Sequence, residues 1–363
     1  MKLREFSRKA VENRRVLVRV DFNVPLKDGV ITDQTRIQAH VETINLLRKW
    51  GAQVSLISHL GRPKGKIVDS LSLRHIVPEV EKALGCPVLF VEDSVGPKVE
   101  EALQKAPKEA VLLLENVRFY PQEEENEQEF SERMAKPFQV FVMDAFSAAH
   151  RAHSSTRGVM EFLPSFSGKL LTKEIEMLSA VNESPESPFV LVLGGAKVSD
   201  KIGVIDHLLE KTSTILIGGG MAFTFLRVKG NAIGNSLYEE EKADFACQML
   251  DKAQKLGVEI LLPIDVAVAT SLESSEPRRE VSADAIPNGT MGLDIGAKTA
   301  DIFADVIRGA KTILWNGPMG VFENPIFAEG TRKVAQAVEE CTKKGGLTVV
   351  GGGDTAVRPP FLV

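Results

Sequence analysis

Cysteine is scarce in this chain: Cys86, Cys247 and Cys341 are the three among 363 residues, odd in number and far apart. That excludes a disulfide framework and a CxxC metal site, and it points to a reducing, cytoplasmic compartment. Long apolar runs are missing as well. None reaches bilayer-spanning length, and the charged start Met1-Lys2-Leu3-Arg4-Glu5 leads into no apolar signal core. Excess positive charge is also lacking. The 44 Lys and Arg stand against 49 Asp and Glu, a net charge of −5, which excludes a global basic field for nucleic acid. Two familiar phosphate motifs do not occur. Gly194 to Lys201 does not fit GxxxxGK[ST], and no GxGxxG with a later acidic residue is found. The motifs of a P-loop enzyme and of a nicotinamide dehydrogenase are therefore both missing.

What is present is a repeated plan. Apolar content is 44% and charged content 26%, the balance of a soluble globular protein. The length predicts two domains. Short apolar runs at 16–20, 54–58, 87–91, 111–114 and 140–143 read as buried parallel strands, separated by helix patterns such as Ile37, Val41, Ile44, Leu47 and the stretch 74–84. Proline and glycine bracket a joint at 164–188, with one helix pattern from Leu170 to Leu178. Further strands are expected at 189–193, 214–217, 258–263, 311–315 and 347–350.

The two halves end their strands differently. In open α/β sheets, ligands bind beyond the carboxyl ends of the strands. In the first half those ends carry Asp21, Asn23, Arg36, His59, Arg62, Arg118, Arg151 and His153. Any one of these arginines fits an ordinary surface role, but the set, repeated at strand after strand, favours a small ligand with several anionic groups. His150-x-x-His153 lacks the Cys or acidic partners that zinc would need. The acidic stretch from Glu123 to Glu129 reads as a solvated loop and helix face.

The second half ends its strands in glycine: Gly194-Gly195, Gly218-Gly219-Gly220, Gly317-Pro318 and Gly351-Gly352-Gly353. One such turn is weak evidence, but several along one sheet edge favour a nucleotide, because glycine lets backbone amides approach polyphosphate. After Gly194-Gly195 the turn is expected to leave bare N–H groups. Lys197 and Lys201 are expected on one face of a first helical turn.

Long motifs then converge on one family. Arg15-Val16-Leu17-Val18-Arg19-Val20-Asp21-Phe22-Asn23-Val24-Pro25, Ser58-His59-Leu60-Gly61-Arg62-Pro63, Leu114-Glu115-Asn116-Val117-Arg118 and Ala149-His150-Arg151-Ala152-His153-Ser154-Ser155 resemble those of phosphoglycerate kinases. So do Gly194-Gly195-Ala196-Lys197-Val198-Ser199-Asp200-Lys201, Trp315-Asn316-Gly317-Pro318-Met319-Gly320-Val321-Phe322-Glu323 and Gly351-Gly352-Gly353-Asp354-Thr355.

The resemblance implies an α/β fold of two Rossmann-like parallel-sheet domains joined by a hinge helix. Residues 1–165 would bind 3-phosphoglycerate, 166–187 would form the hinge, and 188–363 would bind nucleotide. The implied reaction is reversible phosphoryl transfer from 1,3-bisphosphoglycerate to ADP, with Mg²⁺, by a monomer that uses neither nucleic acid nor membrane. Asp21, Asn23, Arg36, His59, Arg62, Arg118 and Arg151 would hold phosphoglycerate. Gly195, Lys197, Lys201, Gly219, Gly292, Asn316, Pro318, Glu323, Gly352, Gly353, Asp354 and Thr355 would hold nucleotide, with Asp354 near the metal. Arg36, Lys197 and Lys201 would stabilise the transferring group. Transfer between two domains requires closure that excludes water.

After Thr355 the resemblance stops at Ala356-Val357-Arg358-Pro359-Pro360, where the prolines would break the expected helix. The chain therefore reads as a truncated or frameshifted copy. The alternative to an active enzyme is a non-catalytic remnant that retains anion binding.

Overall fold

The computed structural model describes residues 3–27 and 29–352. The expected departure after Thr355 lies outside them. The chain divides into two compact units, Met1–Glu176 and Met177–Val363. The division falls inside one helix, Lys169–Glu183, longer than the pattern from Leu170 to Leu178 suggested.

The first unit holds strands β1 (Arg15–Arg19), β2 (Gln53–Ile57), β3 (Val88–Val91), β4 (Val111–Leu114), β5 (Val140–Met143) and β6 (Ser165–Ser167). They form one sheet in the order β3-β4-β2-β1-β5-β6, and every pairing is parallel. Alternate residues of β1 feed opposite faces. Val16 and Val18 join one apolar cluster, and Leu17 joins the other. A parallel sheet covered on both faces needs this continuous apolar run.

In the second unit, β7 (Phe189–Leu193), β8 (Thr214–Ile217), β9 (Glu259–Leu261), β10 (Asp265–Ala269), β11 (Arg279–Ser282), β12 (Met291–Ile295), β13 (Thr312–Asn316) and β14 (Leu347–Gly351) build two sheets. The parallel one runs β9-β8-β7-β13-β14. The other, β11-β10-β12, is antiparallel and was not foreseen. The expected strand 258–263 shrinks to β9 because Pro263 carries no N–H to continue the ladder.

The predicted helix from Ile37 to Leu47 is two helices, Thr35–Ala39 and Val41–Lys49, with His40 between them. Arg36 therefore lies in the first turn of its helix rather than before it. The acidic stretch forms Pro121–Glu125 and Gln128–Ala135. Among the described residues no helix is long and apolar enough to cross a membrane.

Candidate active site

In the first unit, the register places the ends of β1, β2 and β5 in one row, with Arg19 opposite Ile57 and Met143. Arg19, the last residue of β1, is only 2% exposed. Its Nε donates to Ser155 Oγ at 3.0 Å and its Nη2 to His59 Nδ1 at 3.1 Å, and its head also reaches the Val20 carbonyl. Since guanidinium can only donate, Nδ1 of His59 accepts and the ring proton sits on Nε2. Burial first, then Arg19 and Arg118, hold His59 well below the usual imidazole range. Burial and Arg118 lower His153 likewise. His59 thus presents Nε2–H as a neutral donor, and most of the positive charge of this mouth belongs to arginine.

Asp21 follows β1. Burial alone would raise its carboxyl, but Arg36, the Ser147 hydroxyl and Arg19 together hold it below its ordinary value. Arg36 pairs directly with Asp21 Oδ2, and Ser147 Oγ donates to the same oxygen at 2.5 Å. Asn23 Oδ1 accepts the Gly61 N–H at 2.8 Å. Arg118 is buried and donates from Nη1 to the Gly61 carbonyl at 2.9 Å. Burial, Arg151 and Arg62 lower its guanidinium, opposed by Glu124 and Glu123. The structure therefore gathers Asp21, Asn23, Arg36, His59, Arg62, Arg118 and Arg151 at these strand ends. Arg62 is exposed, and Arg36 and Arg151 are half-buried.

Two members of this cluster escaped sequence reasoning. Arg19 looked like strand filler. Glu123 looked solvated but is fully buried. Glu123 Oε1 accepts from Ser155 Oγ at 2.5 Å and Oε2 from the Ser155 N–H at 2.8 Å. Burial raises its carboxyl against the pull of Arg19. Arg19, Ser155 and Glu123 thus form a buried chain under the arginines. The only sequence sign was an arginine inside an apolar strand.

The second unit builds its strand ends from backbone. Leu193 pairs in register with Ile217 and Asn316, and Asn316 with Gly351. The expectation of bare glycine amides is overturned. Gly194 N–H bonds the Asn316 carbonyl at 3.0 Å, Gly195 that of Pro318 at 2.9 Å, Gly218 that of Leu193 at 2.8 Å, and Gly219 that of Met319 at 2.9 Å. Glycine serves close approach instead. A Cβ on Gly194 would sit 2.1 Å from the Pro318 carbonyl oxygen, and one on Gly219 would sit 2.6 Å from that of Gly195.

The segment after Gly195 is not a helical turn either. The helix begins only at Ile202, so Lys197 and Lys201 do not share a helical face. The cause is Glu239, whose carboxylate takes the N–H groups of Val198 and Ser199 and, at 2.7 Å, the Ser199 hydroxyl. Lys201 Nζ donates to Asn316 Oδ1 at 2.8 Å, while Lys197 is exposed.

A cavity of about 440 Å³ opens beside these turns, with Gly195, Gly219, Gly292, Pro318 and Glu323 among its lining. Its apolar wall, including Leu237, Leu293, Val321 and Phe322, was not anticipated. The volume suits a nucleoside-sized ligand. Gly292 is required sterically, since a Cβ there would meet the Phe223 ring at 2.1 Å. Gly352 closes the described chain with φ +92°. The expected nucleotide residues Gly353, Asp354 and Thr355 lie outside the described residues. Among the described residues, no group of three or more His, Cys, Asp or Glu could hold a metal.

Parallel sheets whose ends are lined by arginine in one unit and by tightly packed glycine turns in the other fit the anion and nucleotide sites that a kinase-type phosphotransferase needs. A family model for phosphoglycerate kinase matches residues 6–358. Phosphoglycerate kinase from Moorella thermoacetica is 51% identical over 345 residues, covering 95% of this chain and 87% of that protein. The enzyme from Dictyoglomus turgidum is 48% identical over 346 residues, with coverage of 95% and 87%. The solved phosphoglycerate kinase of Coxiella burnetii superposes with a TM-score of 0.79 at 40% identity, covering 98% of this chain and 89% of that one. That of Pyrococcus horikoshii OT3 gives a TM-score of 0.83 at 31% identity, with coverage of 95% and 87%. The chain belongs to the phosphoglycerate kinase family.

Proposed function

We propose that this chain catalyses phosphoryl transfer between 1,3-bisphosphoglycerate and ADP, giving 3-phosphoglycerate and ATP, as a cytoplasmic monomer. The observation that carries the reading is the cluster of guanidinium groups at the strand ends of the first unit. Asp21, Glu123 and Glu124 offset part of the positive charge of Arg36, Arg19 and Arg118, and the more exposed Arg36, Arg62 and Arg151 can match a phosphorylated carboxylic acid bidentately. Asp21, Asn23, Arg36, His59, Arg62, Arg118 and Arg151 hold this ligand. His59 offers Nε2–H as a neutral donor. Gly195, Gly219, Lys197 and Lys201 surround the nucleotide phosphates, and Gly292, Asn316, Pro318 and Glu323 flank the nucleoside. Gly352, Gly353, Asp354 and Thr355 complete that site. The three scattered cysteines, free in the fold with Cys86 and Cys341 buried, support a reducing compartment.

In the step itself, a terminal oxygen of ADP attacks the acyl phosphorus, the phosphorus–carboxylate bond breaks, and the carboxylate leaves ionised. The reverse acceptor is already a carboxylate at neutral pH, so no general base is needed. Arg36, Lys197 and Lys201 neutralise the charge on the group in flight. Magnesium supplies further neutralisation when it is bound. The described walls fit the nucleotide rather than the ion, because they offer glycine backbone, apolar side chains and the single carboxylate Glu323 with no acidic cluster, so the ion would rest on phosphate oxygens and Asp354.

The test is a coupled assay on the full chain with ATP, Mg²⁺ and 3-phosphoglycerate. Sustained ADP release that depends on 3-phosphoglycerate is expected. Binding of 3-phosphoglycerate without turnover would instead make the chain a non-catalytic remnant.

A further inference from the structure

His40 is 1% exposed and breaks what the sequence reads as one helix. Its Nε2 accepts the backbone N–H of Asp21 at 2.9 Å. A peptide N–H can only donate, so Nε2 is bare and the ring proton is on Nδ1. That proton is donated to Asp144 Oδ2 at 2.8 Å. Asp144 is fully buried, and its other oxygen accepts the Leu170 N–H at 3.0 Å. Leu170 lies in the first turn of Lys169–Glu183, where unpaired amides and helix dipole favour a carboxylate. Thr43 Oγ1, one turn beyond His40, takes the Lys169 N–H at 2.9 Å. Gly168 lets this helix start approach so closely, because a Cβ there would sit 2.0 Å from Asp144 Oδ1. Burial raises the Glu174 carboxyl in the next turn, with Asp144 and Asp21 adding, so that turn faces the same groups.

The line Asp21–His40–Asp144–Leu170 is therefore continuous, and each link has one allowed proton placement. At one end, Asp21 is held three ways: its N–H by His40, and its carboxylate by Arg36 and Ser147. At the other end is the start of Lys169–Glu183, the helix within which the chain divides. None of these bonds requires His40 to reach the ligand itself.

We propose that His40 and Asp144 are positioning residues for the phosphoglycerate site: they fix the Asp21 backbone, and through its carboxylate the Arg36 guanidinium, relative to the start of Lys169–Glu183. This rests on the function proposed above. Removing His40 leaves the Asp21 N–H and one Asp144 oxygen buried without partners. Glutamine carries its Oε1 as far from the backbone as histidine Nε2 and can keep the Asp21 N–H bond, whereas asparagine reaches only the Nδ1 position and loses it.

The test measures steady-state kinetics of the full chain with His40→Ala, His40→Gln and His40→Asn. The alanine and asparagine variants should raise KM for 3-phosphoglycerate about 10-fold, the effect of one buried hydrogen bond. KM for ATP should stay unchanged, and glutamine should restore most of the loss. If alanine does not fold, the glutamine–asparagine pair decides on the same split. Wild-type KM for 3-phosphoglycerate in the asparagine variant, or an equal rise in both KM values, would overturn the proposal. If the wild-type chain itself neither binds nor turns over 3-phosphoglycerate, the functional reading fails instead.

Discussion

The two units put different materials at equivalent strand ends. The first uses side chains: Arg19, Arg36 and Arg118 are locked by Ser155, Asp21 and the Gly61 carbonyl before any ligand arrives. The second uses main chain: three glycine turns interlock through their own amides and carbonyls. A site of charged side chains is disabled by removing charge and leaves the fold standing. A site of packed backbone is disabled by adding one carbon and loosens the fold with it.

The largest effect that would break this contrast is catalytic. Arg36→Ala, in the first unit, should lower kcat on the order of 10²–10³-fold and leave the chain folded. A variant that unfolded instead would mean the first unit's charges are structural.

The next effect is steric. Gly219 has φ +65° and backbone 2.6 Å from where a Cβ would go, so Gly219→Ala should abolish nucleotide binding and destabilise by about 1–3 kcal/mol. Gly203 meets nothing within 4 Å and lies in the helix Ile202–Leu208. Gly203→Ala should stabilise by roughly 0.5–1 kcal/mol. Calorimetry and nucleotide titration on the pair check both.

The smallest effects are in pH, and they carry opposite signs. His59 is held well below its unfolded value of 6.5, so the unfolded chain takes up that proton first. Its contribution is present above pH 6.5 and is lost as pH falls toward the folded value, by at most about 1.4 kcal/mol per pH unit. His59→Gln should flatten that arm of a melting-temperature profile. In the second unit, burial pushes Asp294 up to about 7, against Gly330 N–H and Arg278. A raised acid contributes stability below pH 3.8 that is lost as pH rises through 7, and Asp294→Asn should remove that decline.

The strand ends were readable because each depends on local pattern, an apolar run and then a charge or glycine. The bonds that make a site of them were not. Arg19 was hidden in its strand because its partners His59 and Ser155 lie 40 and 136 residues away. Glu123 sat among glutamates that are solvated, and nothing in their spacing marks the one that folds inward onto Ser155. The glycines were read as letting bare amides approach polyphosphate, whereas the amides of Gly194, Gly195, Gly218 and Gly219 are taken by carbonyls of another turn or strand, partners that no local pattern shows. His40 drew no attention, since its two partners are separated from it by 19 and 104 residues. The antiparallel sheet β11-β10-β12 was missed because its short strands are interrupted by polar turns.

The most direct measurement is paired calorimetric titration of the full chain and its Arg118→Ala and Gly219→Ala variants with 3-phosphoglycerate and with Mg-ADP. Arg118→Ala should lose 3-phosphoglycerate and keep the nucleotide, and Gly219→Ala should do the reverse. Loss of both ligands by either variant, or of neither by both, would contradict the division of the site between side chain and backbone.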